Sequence, residues 1–234
     1  MGYRIGADIG GTFTDIVLVA DGRDAAAASL EIGKVLTTPE APERAVLEGI
    51  EMVLARAGRD AAEVSAVIHG TTLFTNAMIE RKGARTALVT TKGFRDAIEI
   101  AREHRYDMYD LFIERPEPLA PRDLRFEVDE RVLADGSIHR PLDEASVAPV
   151  IEALRAADIE AVAVCLLHAY ANDSHEHQVG AMIAAALPDI AMSLSADIVR
   201  EIREFDRAST TLANVYVKRL AETYLGRLDS GLRD

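Results

Sequence analysis

Two apolar runs open the chain, residues 3–9 and 13–20, and only Gly10-Gly11-Thr12 separates them. A gap that short cannot hold a helix or a crossover, so the runs are expected to pair as antiparallel strands across a tight turn. A further turn is expected at Asp21-Gly22-Arg23-Asp24, then a third strand over residues 30–37. Thr38-Pro39-Glu40-Ala41-Pro42-Glu43 carries helix-start signals, with apolar positions following at Ala45, Val46, Ile50, Val53 and Leu54 and a stop at Gly58. Residues 64–69 read as a short buried strand. A second helix is expected from Thr71 or Thr72 to Lys82, and a strand over 84–91. The order βββαβαβ points to an α/β fold.

Residues 92–145 break the pattern. A short helix is expected near Gly93-Phe94-Arg95-Asp96-Ala97. The stretch that follows mixes charges with Tyr106, Tyr109, Phe112, Pro116, Pro118 and Pro121, and reads as an inserted irregular segment. Residues 126–133 and 137–140 suggest a hairpin across Asp135-Gly136. Then come an amphipathic helix (143–156), a buried strand (161–167), a helix (171–187) capped by Asn172 or Asp173, a strand (190–194) and a terminal helix (205–228). The single cysteine, Cys165, lies in an apolar run. It excludes an intrachain disulfide and reads as a buried thiol, not a nucleophile.

Apolar residues make up 49% of the 234, enough for a packed core. The formal charge of -13, with no dense basic cluster, argues against nucleic acid and for a small-molecule partner. It does not argue against a nucleotide, because backbone amides and Mg2+ can hold phosphates. No segment approaches the roughly 18 apolar residues of a membrane span, and no signal-peptide core is present, so no membrane is expected and the cytoplasm is the expected location.

The chemistry is concentrated in Asp8-Ile9-Gly10-Gly11-Thr12-Phe13-Thr14-Asp15. Adjacent glycines permit positive φ and remove the Cβ atoms that would keep a phosphate from the backbone N–H groups. Thr12 and Thr14 add hydroxyls. Asp8, at the end of the first strand, can face a Mg2+ ion, and Asp15 can orient the turn or the ion's waters. A purely structural Gly-Gly turn is the plain alternative. Neither a GxxxxGK[ST] loop nor a GxGxxG loop after a strand is present. His69-Gly70-Thr71-Thr72, between a strand and a helix, suits an anion or a simple cap, and Asn76 follows on the helix. His175 and His177, two apart, fall on different helix faces and with His168 make a poor metal site. Arg95 and Arg102 offer carboxylate forks or surface pairs, and Tyr106 and Tyr109 offer a pocket lining or plain packing.

The Asp8–Thr12 segment resembles the first phosphate-binding loop of the superfamily that contains actin, Hsp70 and the sugar kinases. More narrowly, Gly10-Gly11-Thr12-Phe13-Thr14-Asp15 resembles the hydantoinase A/5-oxoprolinase family, which includes subunits of acetone and acetophenone carboxylases. Further stretches agree: Lys34-Val35-Leu36-Thr37-Thr38-Pro39, His69-Gly70-Thr71-Thr72 with Thr75-Asn76-Ala77, Thr90-Thr91-Lys92-Gly93-Phe94-Arg95-Asp96, Asp129-Glu130-Arg131-Val132, Cys165-Leu166-Leu167-His168-Ala169-Tyr170, and Glu204-Phe205-Asp206-Arg207-Ala208-Ser209-Thr210-Thr211.

The resemblance implies a ribonuclease H-like, actin-like ATPase fold: a mixed sheet flanked by helices on a βββαβα core, with an inserted irregular segment. It implies ATP and Mg2+, held by Asp8, Gly10, Gly11, Thr12, Thr14 and Asp15, with Asp8 the metal ligand. It puts His69, Thr71, Thr72 and Asn76 on the substrate or phosphate side. The implied reaction is ATP-dependent opening of a cyclic amide of the 5-oxoproline or hydantoin type. The alternatives are a subunit fragment of an acetone- or acetophenone-type carboxylase and a non-catalytic assembly module. Family members continue into a second domain with a second Gly-rich loop, and no second Asp-x-Gly-Gly-Thr segment occurs here. The expected layout is therefore residues 1–195, with an insertion at about 92–145, followed by the helical start of a truncated second ATPase domain over 196–234. Completion by that domain or by a hydantoinase B-type subunit is expected.

Overall fold

The computed structural model describes residues 2–21, 30–102 and 109–233. The expected turn at Gly22-Arg23-Asp24 and the residue Tyr106 lie outside the described residues. The chain divides into two compact units, Met1–Lys82 with Leu220–Asp234, and Gly83–Arg219. Residue 196, the boundary drawn from the sequence, falls inside the second of these.

The first unit begins with β1 (Tyr3–Ile9), β2 (Phe13–Ala20) and β3 (Leu30–Leu36), followed by α1 (Pro42–Ala57), β4 (Val64–Thr71) and α2 (Leu73–Ile79). This is the expected βββαβα core. The sheet order is β3-β2-β1-β4, with β1–β2 and β2–β3 antiparallel and β1–β4 parallel. Successive strand side chains point to opposite faces. Tyr3, Ile5, Ala7, Ile9, Ile16 and Leu18 therefore share one face and pack on Val46, Ile50, Val53 and Leu54 of α1 and on Tyr224 and Leu228. The other face carries Phe13, Ile32, Leu36 and Ile68 exposed beside Arg4, Asp8 and Lys34. Helix α2 stops short of the expected Lys82, because Arg81 takes φ 56° and the Lys82 amide turns back to the Ala77 carbonyl.

The second unit has its own sheet, ordered β10-β9-β5-β6 and parallel throughout: β5 (Thr86–Thr91), β6 (Arg125–Val128), β9 (Ala161–Cys165) and β10 (Ala191–Leu194). Helices α4 (Val147–Ala156) and α5 (Ser174–Ala186) contribute to the core containing Val89, Val162 and Val164. Residues of α3 (Ala97–Ile100) and α7 (Glu204–Arg233) join the core containing Leu88, Ala163 and Cys165. Both faces are covered, which is why β5 and β9 are buried at every position. Asp173 precedes α5, while the Asn172 carboxamide oxygen accepts the Ser174 amide. The short helix α6 (Ser195–Ile198) follows β10.

Strand β5 starts the second sheet. One sequence expectation changes here. Residues 126–133 are not one strand: β6 pairs with β5, the chain bends at Asp129-Glu130, and β7 (Arg131–Val132) forms the expected hairpin with β8 (Ile138–Arg140). The irregular part of the expected insertion is thus followed by an ordered edge strand. Cys165 is buried, and burial pushes its thiol up to about 12, as an inert core thiol requires.

Helix α7 is tied to the second sheet by a buried ion pair. Glu176 and Arg207, 0% and 1% exposed, lie 3.2 Å apart. The Glu176 carboxylate also accepts from the Leu166 amide (2.7 Å), the Ser195 hydroxyl (2.5 Å) and the Ala196 amide (2.9 Å). Arg207 donates to the Leu166 carbonyl at 2.9 Å. Burial still raises the Glu176 pKa, so its charge depends on these partners. We predict that Arg207→Met costs about 3–5 kcal/mol, because it strands a buried carboxylate. Urea unfolding followed by circular dichroism measures this, and a loss under about 1 kcal/mol would show that the pair does not hold the helix.

Candidate functional site

The β1–β2 register sets Asp8 opposite Asp15, the β2–β3 register sets Asp15 opposite Lys34, and β4 brings Gly70 beside Asp8. One row across the four strands therefore reads Gly70, Asp8, Asp15, Lys34. Side chains facing each other across strands share a face, so the two carboxylates are neighbours on the sheet's uncovered side. Lys34 Nζ lies 2.5 Å from the Asp15 carboxylate and 5.0 Å from the centre of the Phe13 ring. Asp8 is exposed and has no ion-pair partner among the described residues.

The loop at the end of this row is held from β3. The Gly10 amide donates to the Phe13 carbonyl at 2.9 Å and closes the turn. The residue after β3, Thr37, donates its amide to the Thr12 carbonyl at 2.9 Å and its hydroxyl to the Gly10 carbonyl at 2.9 Å. With that proton committed, the Thr37 oxygen accepts from the Thr14 hydroxyl 3.0 Å away. The Gly11 and Thr12 amides and the Thr12 hydroxyl make no hydrogen bond among the described residues, and both residues are exposed. Neighbouring unpaired amides with a hydroxyl suit a phosphate oxygen, and the adjacent carboxylates suit the cation that accompanies it.

The glycines serve differently from the sequence expectation. Neither takes positive φ, since the only positive-φ glycines among the described residues are Gly58, Gly93 and Gly136. A side chain at either position would instead be a tight fit. A Cβ on Gly10 would sit 3.2 Å from the Phe13 carbonyl oxygen, and one on Gly11 would sit 3.3 Å from Asn76 Nδ2. The second contact also shows that α2 brings Asn76 to the loop.

The other expected residues separate. Thr14 is 0% exposed with its hydroxyl spent on Thr37, so it shapes the loop from behind. Thr71 accepts the Leu73 amide at 3.0 Å, and the Thr72 amide donates to the Ile9 carbonyl at 3.2 Å. The first bond caps the start of α2, and the second fastens it to the end of β1. His69 is on the opposite face from Asp8, because its register partner is Ala7. Its Nδ1 takes the Ala7 carbonyl at 3.2 Å and its Nε2 the Tyr224 hydroxyl at 2.5 Å. Its expected place was the substrate or phosphate side, and its ring lies on the face opposite Asp8. Thr37 and Lys34 lie in the family-like stretch Lys34–Pro39 but were not named as site residues, since their contacts with the loop and with Asp15 come from strand register.

Elsewhere, Arg102 pairs with Asp206 at the edge of a cavity of about 490 Å3 lined by apolar residues such as Ile98, Leu119, Phe205 and Leu212. Tyr109 is exposed and does not line it. His175 bonds Glu130 at 2.7 Å, His168 bonds the Val132 carbonyl at 2.8 Å, and His177 lies near Asp173 and Asp197, so the three histidines serve separate places.

Burial lowers the pKa of His69, with the Ala7 carbonyl and Asp8 opposing more weakly. The unfolded chain then binds more protons than the folded one between the lowered value and about 6.5, so this residue's contribution to stability is lost as pH falls through that window. We predict that the unfolding midpoint drops more between pH 7.5 and 5.5 in the wild type than in His69→Gln. Equal drops in thermal melts of the two would contradict this placement.

The hydantoinase/oxoprolinase N-terminal region family model matches residues 4–187. The caprolactamase subunit alpha of Pseudomonas jessenii is 36% identical over 97% of this chain, and the match covers 33% of that subunit. The crystal structure of the ATP-dependent caprolactamase from the same organism superposes with a TM-score of 0.87 and 34% identity over 98% of this chain and 33% of its own. A 5-oxoprolinase of Saccharomyces cerevisiae is 31% identical over 98% of this chain and 20% of its length. Nucleotide-free acetone carboxylase, whose structure describes ATP-dependent acetone carboxylation, superposes with a TM-score of 0.84 and 27% identity over 98% of this chain and 34% of its own. The α/β fold is shared with both structures, and the chain spans about a third of each.

Proposed function

We propose a function from one premise: the chain belongs to the hydantoinase/oxoprolinase N-terminal region family. It supplies the first phosphate grip of an ATP-dependent enzyme that opens a cyclic amide of the 5-oxoproline, hydantoin or lactam type. The observation that carries this reading is the pair of unpaired amides at Gly11 and Thr12 beside an unpaired Asp8 carboxylate. The names of the relatives support the substrate class, since one is a 5-oxoprolinase and another a caprolactamase.

An unstrained amide is a poor electrophile. ATP supplies the phosphoryl group that makes the amide oxygen a leaving group. In this reading the Gly11 and Thr12 amides and the Thr12 hydroxyl hold phosphate oxygens in fixed positions, where such donors stabilise developing charge. Asp8 would hold Mg2+, with Asp15, anchored by Lys34, beside it. Gly10 and Thr14 shape the loop, and Asn76 closes one side of it. Thr71 and Thr72 position α2, and His69 supports β1 from behind. The chain spans about a third of the caprolactamase relative, and in this reading it works in the cytoplasm with a second ATPase domain or a separate subunit. The subunit name of the caprolactamase relative supports a partner.

The likeness to acetone carboxylase favours a second reading. The phosphate grip is the same, and a ketone or bicarbonate replaces the amide. ATP turnover by the assembled enzyme with 5-oxoproline, caprolactam or acetone plus bicarbonate separates the two.

We predict that calorimetric titration of Mg-ATP into this chain gives saturable binding, weakened at least about tenfold by Asp8→Asn, as expected for loss of a charge-assisted contact. Equal affinities in wild type and variant would remove Asp8 from the site.

A further inference from the structure

Three stretches that the phosphate loop does not use meet at the carboxyl edge of the second sheet. They are Thr90–Asp96, Asp129–Val132 and Cys165–Tyr170. Thr91, the last residue of β5, accepts the Leu167 amide at 2.9 Å and donates its hydroxyl to the Glu130 carboxylate. The other Glu130 oxygen lies 2.7 Å from His175 Nδ1. Glu130 is buried with both oxygens committed, and the ends of β5, β6 and β9 are fastened together.

In front of this knot is a cavity of about 270 Å3 lined by Lys92, Glu130, Arg131, Leu133, His139 and Arg140. Three cations are gathered there on a chain of net charge -13. Asp129 holds two of them in place, with one oxygen 3.1 Å from Lys92 Nζ and the other 2.5 Å from Arg140. Arg131 differs. Its guanidinium stacks over the Phe94 ring at 4.7 Å and has no carboxylate partner among the described residues. A stacked guanidinium with an unused fork is already ordered for a bidentate oxyanion. The position also fits, because open parallel α/β sheets bind ligands beyond the carboxyl ends of their strands.

We propose that this cavity is a binding site for a small oxyanion, a carboxylate or a phosphate, gripped by the Arg131 fork with Arg140, Lys92 and His139 around it. Ligand pockets generally run from about 300 to 1,000 Å3, so the space suits a small acid and is too tight for a nucleotide. The site is independent of the phosphate loop of the first unit, and neither assignment depends on the other.

The test is titration of the folded chain with acetate, succinate and inorganic phosphate, followed by amide chemical shifts in NMR. Saturable binding is expected, with dissociation constants near about 1 mM or tighter. It should weaken at least about tenfold in Arg131→Gln and in Arg140→Gln, and less in Arg131→Lys, which keeps the charge and loses the fork. Asp8→Asn should leave it unchanged. Tighter binding of the carboxylates identifies an organic acid as the occupant, and tighter binding of phosphate a phosphorylated one. No saturable binding of any of the three, or affinities unchanged in both glutamine variants with circular dichroism confirming their fold, overturns the proposal.

Discussion

The register between β1 and β2 is the constraint on which the phosphate loop depends. It pairs Ile9 with Thr14 and Asp8 with Asp15, leaving the four residues Gly10 to Phe13 to turn the chain. A one-residue slip would send Asp8 into the core and Ile9 to solvent. The core resists that slip, because Ile5, Ala7, Ile9, Ile16 and Leu18 all pack on one side of the sheet. The hydrophobic pattern of the strands thus places two carboxylates on the outer face, and Thr37 fixes the turn between them through the Gly10 and Thr12 carbonyls. With the Gly10 and Thr12 carbonyls occupied by Thr37, the Gly11 and Thr12 amides are left unpaired among the described residues.

The second unit follows a different logic. Its parallel sheet is covered on both faces, so its polar chemistry gathers at strand ends. Glu176 and Arg207 lie at one such place, and Glu130, Thr91 and His175 at another. A buried carboxylate is costly unless its oxygens find partners. Here the partners are amides, hydroxyls and cations from elements far apart in sequence, and each group therefore fastens several elements at once.

Much of this was legible in the sequence. The strands over residues 3–9 and 13–20 have the extents read from their apolar runs. The same signal placed α1 and the buried strand holding Cys165, because local periodicity reports which residues face a core. What it does not report is which strand pairs with which. The sequence did not divide the strands between the two sheets, and the apparent strand over 126–133 split between a parallel edge strand and a hairpin. The same blindness explains the site. Asp8 and Asp15 are register partners at the foot of the loop that holds Gly11 and Thr12, and Asn76 lies beside Gly11. His69 lies on the far pleat because register sets its face, and Lys34 and Thr37 enter only through β3. The expected role of positive φ at Gly10 and Gly11 also gave way to close packing, which depends on the distant Asn76.

The central claim is that the loop amides of Gly11 and Thr12 are a ready phosphate grip. Amide-resolved NMR of the chain during addition of Mg-pyrophosphate tests it most directly. The account predicts that the Gly11 and Thr12 amides move most, with Asn76 responding beside them. Gly10, already bonded to the Phe13 carbonyl, should change little. Saturation with the largest changes at other residues, or a loop that does not respond at all, would contradict it.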